Sequence, residues 1–282
     1  MNYRHAFHAG NFADVVKHAV LARIITHLKE KPAAFRVIDT HAGAGLYDLS
    51  GPEASRTGEW RAGIGRLLAA QLAPDVCALL APYLDAVAAL NPGGAMKVYP
   101  GSPALAQTLL RDQDRLVVCE REPNAARALA TFVHGDMRAK AVEIDGYTAL
   151  NAYVPPKERR GLVLIDPPYE QPDEFERLAQ ALAAAHRKWP TGVYALWYPI
   201  KNLRERAAFA RRIAASGIAR VLRAELTLAR AASERLGGSG LIVVNPPWRL
   251  EEEVSVLLPA LAQALGAGSA GATRLDWLVP PI

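Results

Sequence analysis

The chain has 282 residues, of which 51% are hydrophobic, so it can bury one substantial core and carry a small insertion. Its longest apolar runs are far shorter than the roughly 20 residues that cross a bilayer, and its N-terminus lacks the apolar stretch of a secretory signal. We therefore expect a cytoplasmic protein without a membrane span.

The formal charge of +5 is compatible with a polyanionic partner but does not require one. The densest basic groups lie at residues 157–160, 187–188 and 201–212. Taken singly, each of them is typical of a solvated helix face or loop.

Strand-like and helical runs alternate along the chain, which is the pattern of a doubly wound α/β sheet. A short Gly-rich link, residues 235–240, joins the last two strand runs instead of a helix, so we expect them to form an antiparallel hairpin. We predict a Rossmann-like, seven-stranded and mostly parallel sheet with an antiparallel last strand, as in class I methyltransferases. The seven predicted strands are residues 35–39, 116–120, 141–145, 162–166, 193–198, 220–226 and 241–245.

One connection is too long for a simple strand-helix-strand unit. The stretch between Gly45 and Glu120 is more than twice the length of such a unit, which takes about 30 residues. Residues 58–68 and 75–90 are rich in Ala and Leu at helical spacing. We therefore predict a helical subdomain over residues 51–95, inserted into the main α/β domain of residues 1–50 and 96–282. A cap beside the site and a purely packing role both remain open for it.

A glycine-containing turn, residues 39–45, follows the first predicted strand. Gly43 and Gly45 let the backbone turn tightly and approach a ligand. The third glycine of a dinucleotide fingerprint would stand at Asp48, and its absence argues against a nicotinamide cofactor. A tight turn without a ligand is the alternative interpretation.

Acidic residues end the next two predicted strands. Glu120 ends the second, where its carboxylate can accept hydrogen bonds from both hydroxyls of a ribose. Asp145 and Gly146 end the third and suit the adenine amine of a bound cofactor. Each acid alone is more often a surface residue, but ligands of α/β sheets bind outside the carboxyl ends of the strands. Their joint placement therefore predicts a site for an adenosine-containing cofactor.

The fourth predicted strand delivers Asp166-Pro167-Pro168-Tyr169 to the same edge. The prolines fix the backbone so that the Asp166 carboxylate and the Pro167 carbonyl can both accept hydrogen bonds from one amino group. Two acceptors favour the geometry in which the delocalised lone pair of an aromatic amine becomes available. Tyr169 can stack on the base, which must then be unpaired or splayed out. A rigid turn with no catalytic role is the structural alternative.

A second motif with the same order of residue types (a polar residue, two prolines and an aromatic residue) follows the last predicted strand: Asn245-Pro246-Pro247-Trp248. If that strand is antiparallel, its carboxyl end lies at the opposite edge of the sheet, so we assign this motif a structural role. The first residue of such motifs also differs between substrate classes, with Asn usual for glutamine amides or guanine amines and Ser frequent for cytosine. Asp166 therefore favours adenine.

The sequence resembles the RlmJ family of large-subunit ribosomal RNA adenine-N6 methyltransferases over nearly the whole chain. The resemblance implies a monomeric enzyme that uses S-adenosyl-L-methionine, needs no metal, and methylates one adenine of protein-free 23S ribosomal RNA, adenine 2030 in the family, during ribosome biogenesis. The segments that carry it are residues 3–11, 13–15, 17–18, 39–45, 56–59, 99–103, 166–169 and 195–199.

The resemblance also implies roles for single residues. Catalysis would be a direct in-line transfer from the cofactor sulfonium to N6, carried by Asp166, Pro167 and Tyr169. The target base would lie near Tyr3, His5 and Lys17. The cofactor would be bound by the glycine turn and Asp166 together with the remaining pocket residues: His18, His41, Gly43, Gly45, Ser102, Glu120, Asp145 and Gly146. From the residues alone, the N-terminal histidines near Asp14 could also suggest a metal site, but nothing fixes a ligand geometry.

Other classes of function remain open on the sequence. A nicotinamide-dependent oxidoreductase would share the fold but would not need Asp-Pro-Pro-Tyr. A noncatalytic RNA-binding protein would account for the charge and would bind RNA unaffected by loss of Asp166. A DNA adenine-N6 methyltransferase is the nearest alternative enzyme, although no recognition helix or ribbon for a duplex groove is evident.

Overall fold

The computed structural model of the chain describes residues 4–228, 236–266 and 271–281. A short 3-10 helix, His5–Phe7, precedes the first long helix. The helices are α1 Phe12–Lys29, α2 Pro52–Thr57, α3 Glu59–Ala62, α4 Ile64–Ala69, α5 Pro74–Ala89, α6 Ser102–Leu109, α7 Pro123–Val133, α8 Gly146–Tyr153, α9 Glu174–Lys188, α10 Leu203–Ala214 and α11 Leu250–Leu265. The strands are β1 Arg36–Asp39, β2 Leu46–Asp48, β3 Val98–Pro100, β4 Arg115–Glu120, β5 Ala139–Glu143, β6 Gly161–Ile165, β7 Val193–Ile200, β8 Val221–Thr227, β9 Gly238–Val244 and β10 Ala272–Val279.

Within the described ranges, one large sheet has the strand order β10-β8-β9-β7-β6-β1-β4-β5. The strands β5, β4, β1, β6 and β7 are mutually parallel, and β9 runs antiparallel to both β7 and β8. The α/β class, the mostly parallel sheet and the predicted hairpin are thus confirmed, and all seven predicted strands are present within a few residues of their expected ends. Of the predicted link, residue 235 lies outside the described part of the chain, and residues 238–240 belong to β9 instead of the link.

The predicted number of strands was wrong, because the sheet has eight strands, not seven. The additional strand, β10, pairs antiparallel with β8 at the edge of the sheet. Every residue of β10 is at least partly exposed, and Arg274 and Asp276 interrupt its apolar residues. An edge strand that is open to solvent does not need the apolar run that marks a buried strand. The sequence signal was therefore too weak to detect it.

The long connection after β1 contains four helices, α2 to α5, and a short ribbon of β2 and β3 joins its two ends. Helix α5 packs on α1 and α6, and α4 packs on α11. The side chains of Leu80 and Tyr83 belong to the same hydrophobic cluster as α1 and β1. The helical content agrees with the sequence, whereas the division into a separate subdomain of residues 51–95 stays a prediction.

Helix α1 is the central helix of the molecule and is buried on nearly all sides. Asn11 caps its N-terminus, because the side-chain oxygen accepts hydrogen bonds from the backbone N–H groups of Ala13 and Asp14. Charged side chains also lie on this buried helix, among them Lys17 and Arg23. Buried charges require partners, so these residues determine what α1 packs against. In the described part of the chain, no helix is long and apolar enough to span a membrane.

The second Pro-Pro motif lies where the antiparallel direction of β9 predicts, at the edge opposite to the end of β6. The amide of Asn245 donates hydrogen bonds to the carbonyls of Pro190 and Gly192, just before β7 begins. The two Pro-Pro motifs lie at opposite edges because their strands run in opposite directions. Asn245 therefore cannot share a site with Asp166.

We predict that the buried ion network between α1 and α11 contributes strongly to stability. Arg23 donates two hydrogen bonds of 2.8 Å to Glu253, and His27 lies 3.0 Å from the same carboxylate. Glu253→Ala leaves the Arg23 guanidinium buried without its partner, so the free energy of unfolding should fall by about 3–5 kcal/mol in urea denaturation followed by circular dichroism. The exposed neighbour Glu252 is the control, and Glu252→Ala should cost at most about 1 kcal/mol. Equal effects of the two changes would contradict the prediction.

Candidate active site

A cleft of about 710 Å³ opens at the edge where the parallel strands end. The loops that follow β1, β4, β5 and β6 form its floor and walls, and α1 closes one side. This is the edge at which open α/β sheets bind ligands. The predicted site residues that line the cleft are His5, Lys17, His18, His41, Gly43, Ser102, Glu120, Asp145, Gly146, Asp166 and Pro167.

Two other predicted site residues, Gly45 and Tyr169, do not line the cleft. Gly45 is under the turn, with a φ of +85°, and a Cβ atom on it would lie 2.8 Å from the Phe132 ring, so it serves the turn and its packing. Tyr169 is beside the cleft rather than in its lining. Tyr3 lies outside the described residues.

The Glu120 carboxylate is fixed by backbone groups. One oxygen accepts from Gly43 N at 2.8 Å, and the other accepts from the N–H groups of Arg121 and Glu122 at 2.7 Å. Each carboxylate oxygen has two lone pairs, so the group keeps acceptor capacity for a ligand in the cleft. The glycine turn and the end of β4 are therefore held as one unit.

The loop after β5 packs against the loop after β1. Asp145 caps α8 by accepting from Thr148 N at 3.0 Å. A Cβ atom on Gly146 would lie 2.4 Å from the Thr40 carbonyl oxygen and 2.5 Å from the His41 ring, so only glycine allows this approach. Desolvation lowers the pKa of His41 to about 4, and this ring is neutral at physiological pH.

A buried hydrogen-bonded chain connects the helical insertion with the cleft. The Tyr83 hydroxyl on α5 lies 2.9 Å from the Tyr99 hydroxyl, which lies 2.8 Å from Nδ1 of His18. Burial lowers the pKa of His18 to about 3, so its ring is neutral and carries one proton.

The proton of His18 can be assigned from this chain. If Nδ1 carried it, Tyr99 would donate to Tyr83, and the Tyr83 O–H would have no acceptor among the described residues. An unsatisfied buried donor costs about 1–3 kcal/mol. We therefore assign the proton to Nε2, with Tyr83 donating to Tyr99 and Tyr99 donating to Nδ1. His18 thus presents an N–H donor to the cleft that it lines.

A chain of alternating charges forms the wall of the cleft next to residues 4–11, which we call the N-terminal segment. The Lys17 ammonium lies 2.5 Å from Asp166 Oδ2 and 2.8 Å from Asp14 Oδ1. The other Asp14 oxygen accepts from Gly10 N at 2.9 Å and lies 3.0 Å from His5 Nε2. Although burial opposes both charges, the paired carboxylates hold the pKa of Lys17 well above its ordinary value, and His5 and Lys17 hold that of Asp14 well below. Lys17 is therefore a cation and Asp14 an anion.

Asp14 was missed as a site residue in the sequence. Its spacing of three residues from Lys17 on α1 was a signal, because residues i and i+3 share a helix face. Nothing in the sequence indicated that this face would meet the end of β6.

Tyr169 is held by neighbours of the sheet. Its hydroxyl donates to the Trp197 carbonyl at 2.6 Å, and its ring centre lies 4.9 Å from that of Phe175 and 5.8 Å from that of Trp197. These contacts orient the Pro-Pro-Tyr turn. Stacking of Tyr169 on a base therefore stays a prediction.

The far wall of the cleft contains residues that the sequence did not indicate. The Tyr147 hydroxyl on α8 donates to Glu174 on α9 at 2.6 Å, and the Arg177 guanidinium lies 4.6 Å from the centre of the Tyr147 ring. Their grouping depends on how α8 packs on α9, which residue types alone do not determine. Among the described residues, no group of three or more His, Cys, Asp or Glu could hold a metal ion.

Comparisons with known proteins agree on one family. The family model described as "Ribosomal RNA large subunit methyltransferase D, RlmJ" matches residues 32–279. Two proteins named ribosomal RNA large subunit methyltransferase J, from Escherichia coli K12 and Haemophilus influenzae Rd, are 41% and 38% identical to the chain over 99% of both partners. The crystal structure of protein LPL1258 from Legionella pneumophila superposes with a TM-score of 0.88 at 33% identity, covering 96% of this chain and 98% of that one.

We predict a pH-dependent contribution of Asp39 to stability. Burial raises the pKa of Asp39 from its ordinary 3.8 to about 7, although Ser102 donates a 2.6 Å hydrogen bond to it. Between these two values the folded state keeps a proton that the unfolded state releases. The stabilisation is therefore complete below about pH 4 and falls as the pH rises to about 7, by about 1.4 kcal/mol per pH unit.

Asp39→Asn removes this titration, so the free energy of unfolding of the variant relative to the wild type should rise from pH 4 to 7 and stay constant above. Urea denaturation at stepped pH without cofactor measures the difference. Asp48→Asn is the control, since Asp48 is exposed and hydrogen bonds from Ser50 lower its pKa. Its difference should be constant across this window, and a constant difference for Asp39→Asn as well would refute the assignment.

Proposed function

Because the chain belongs to the RlmJ family of ribosomal RNA large subunit methyltransferases, we propose that it transfers the methyl group of S-adenosyl-L-methionine to N6 of one adenine in 23S ribosomal RNA. The observation that carries the proposal is the position of Asp166-Pro167 at the end of β6, in the wall of a cleft whose other walls suit an adenosine-containing cofactor. The family target, adenine 2030, is the proposed substrate position.

The residues of the cleft fit S-adenosyl-L-methionine. Backbone N–H groups occupy three of the roughly four acceptor sites of the Glu120 carboxylate, so Glu120 would offer its remaining site to a ribose hydroxyl. Asp145 would offer an acceptor next to Gly146 for the adenine amine. At the other end, His18 would offer an N–H donor to the carboxylate of the cofactor, and the Ser102 hydroxyl, which donates to Asp39, would offer an acceptor to its amino group. When bound, the cofactor supplies an electrophilic methyl group on its sulfonium.

Asp166 and Pro167 would hold the target amine. Lys17 contacts Oδ2 of Asp166, so Oδ1 and the Pro167 carbonyl oxygen are the acceptors that can face the two N6 hydrogens. Two acceptors on one amine orient its lone pair and stabilise the positive charge that develops on nitrogen during transfer. The Asp14 carboxylate binds the Lys17 ammonium and fixes its position. Because Lys17 is fixed, its contact with Asp166 also fixes the orientation of the Asp166 carboxylate.

Adenine is favoured over other amines because the first residue of the motif is Asp. We further propose that the enzyme acts as a monomer in the cytoplasm and on protein-free RNA, as in the family. His5 and Lys17 are proposed to lie near the target base, with Tyr3 and the N-terminal segment beside them. Membership of a methyltransferase family favours methyl transfer over the oxidoreductase and binding-protein alternatives.

The test is transfer of labelled methyl from S-adenosyl-L-methionine to unmodified, protein-free 23S ribosomal RNA and, in parallel, to unmethylated DNA, each followed by digestion to nucleosides. Label in N6-methyladenosine at a single position would support the proposal. Label in DNA or in another nucleoside would overturn the substrate, and no transfer to any of them would overturn the reaction.

We predict that Asp166→Asn lowers kcat for RNA methylation by about 10²–10³-fold, the range found when one preorganised electrostatic contact to a transition state is removed. The affinity for S-adenosylhomocysteine, measured by calorimetry, should change much less. Asp173→Asn makes the same chemical change at an exposed position of the following loop and should leave kcat within about twofold. A similar kcat in the two variants would contradict the role of Asp166.

A further inference from the structure

The edge of the sheet opposite to the cleft, where the parallel strands begin, carries a continuous basic surface. We call it the entry edge and define it by residues 29–35, 111–115, 136–138, 157–160, 186–192, 218–220 and 245–249. Each of these segments contains Lys or Arg. Exposed examples are Lys31, Lys157, Arg159, Arg187, Lys188 and Arg249.

Several acids of the entry edge are bonded within the protein. Asp114 binds Arg111, Asp136 binds Arg138, and Glu158 binds Arg36. The entry edge contains 12 Lys or Arg and five Asp or Glu, so its formal net charge is 12 − 5 = +7 even with the exposed Glu30 and Asp112 included.

Sheet topology makes this surface continuous. The segments precede or follow seven adjacent strands, β5-β4-β1-β6-β7-β9-β8, at about 4.8 Å per strand, so the surface is roughly 30 Å long. It is also rigid. The Arg160 guanidinium donates to the carbonyls of Leu28 and Ala33, and the Arg220 guanidinium donates to that of Pro246.

An exposed aromatic ring lies at one end of the entry edge. Trp248 is 78% exposed, although it follows two prolines that fix the backbone, and Pro246 is buried. The Arg249 guanidinium lies 5.4 Å from the centre of the Trp248 ring. An exposed aromatic ring next to Arg is a combination on which unpaired nucleic-acid bases stack.

The cleft edge has the opposite character. The acids of its lining are Glu120, Glu122, Asp145, Asp166, Glu170 and Glu174, and they outnumber the cations Arg4, Lys17, Arg121 and Arg177. Lys17 is already paired with two carboxylates. Such a lining suits a base and a cofactor and attracts phosphates less than the entry edge does.

We propose that the entry edge is a second RNA-binding surface, which holds the sugar-phosphate backbone of the substrate RNA while Trp248 stacks on an unpaired base. The inference rests on the proposed function, because the substrate is taken to be RNA. From Gly161 to Asp166, β6 covers roughly 17 Å at about 3.3 Å per residue, so one folded RNA can contact both edges.

The test is the affinity for protein-free 23S ribosomal RNA as a function of salt concentration. We compare Arg159→Gln/Arg187→Gln with Arg127→Gln/Arg211→Gln, which removes the same charge from exposed positions of α7 and α10. Each lost phosphate contact lowers the slope of log K against log salt by about 0.7–0.9. The slope of the first variant should therefore be lower by about 1.4–1.8, and this variant should bind at least tenfold more weakly at low salt, whereas the control should keep its slope.

Stacking is tested separately. Trp248→Ala should weaken RNA binding by about 5- to 100-fold with an unchanged salt slope, since stacking releases no counterions. Leu68→Ala, at another exposed apolar position, should not change the affinity.

In methyl transfer, the entry-edge variants should raise KM for RNA and leave kcat and KM for S-adenosyl-L-methionine unchanged.

The outcomes separate this proposal from the function on which it rests. An unchanged salt slope in Arg159→Gln/Arg187→Gln, with unchanged melting temperature, overturns the RNA surface and assigns the edge to a different partner, whichever nucleoside the wild type methylates. A lowered slope together with label outside N6-methyladenosine supports the surface while overturning the adenine assignment.

Discussion

The arrangement of the active edge depends on one buried ammonium group. Lys17 lies between Asp14 and Asp166, and its position joins α1 to the end of β6. A buried cation is tolerated only when it is paired, so α1 must pack with this face toward the β6 loop. Asp14 also accepts from Gly10 N and contacts His5, which ties the N-terminal segment to the same point. The position of the proposed catalytic carboxylate and that of the N-terminal segment therefore have a common cause.

The cleft combines two electrostatic environments. On the side of β4 and β5, polar groups are fixed by backbone contacts, as when Glu120 accepts from three backbone N–H groups. Two histidines of the lining are neutral, because desolvation lowers the pKa of His18 to about 3 and that of His41 to about 4. Near Asp166, by contrast, the Lys17 ammonium lies between two carboxylates. In the proposed reaction, the acceptors fixed by backbone contacts would bind the cofactor, and the charges around Asp166 would stabilise the transition state.

The sequence predicted the parts of the fold that follow from buried parallel strands and from the residues at their ends. Glu120, Asp145 and Asp166 could be grouped because strands of one direction end at one edge. The partly exposed β10 was missed, since an edge strand carries a weak signal. Contacts between helices and loops were also missed, because they depend on packing angles: Asp14 reaches its partners through the placement of α1, and the Tyr83-Tyr99-His18 chain depends on how the insertion packs.

The two Pro-Pro motifs illustrate how sheet direction divides function between similar sequences. Both follow a buried strand and both end in an aromatic residue, so residue type alone does not separate them. Because β9 runs antiparallel to β7, the two motifs lie at opposite edges. Tyr169 packs on Trp197 beside the acidic cleft, whereas Trp248 is exposed among basic loops. In the proposed function, the acidic cleft would hold the amine of one base and the entry edge would hold the RNA backbone. A mostly parallel sheet separates these two surfaces, since the acids of the cleft follow the strands and most of the basic side chains of the entry edge precede them.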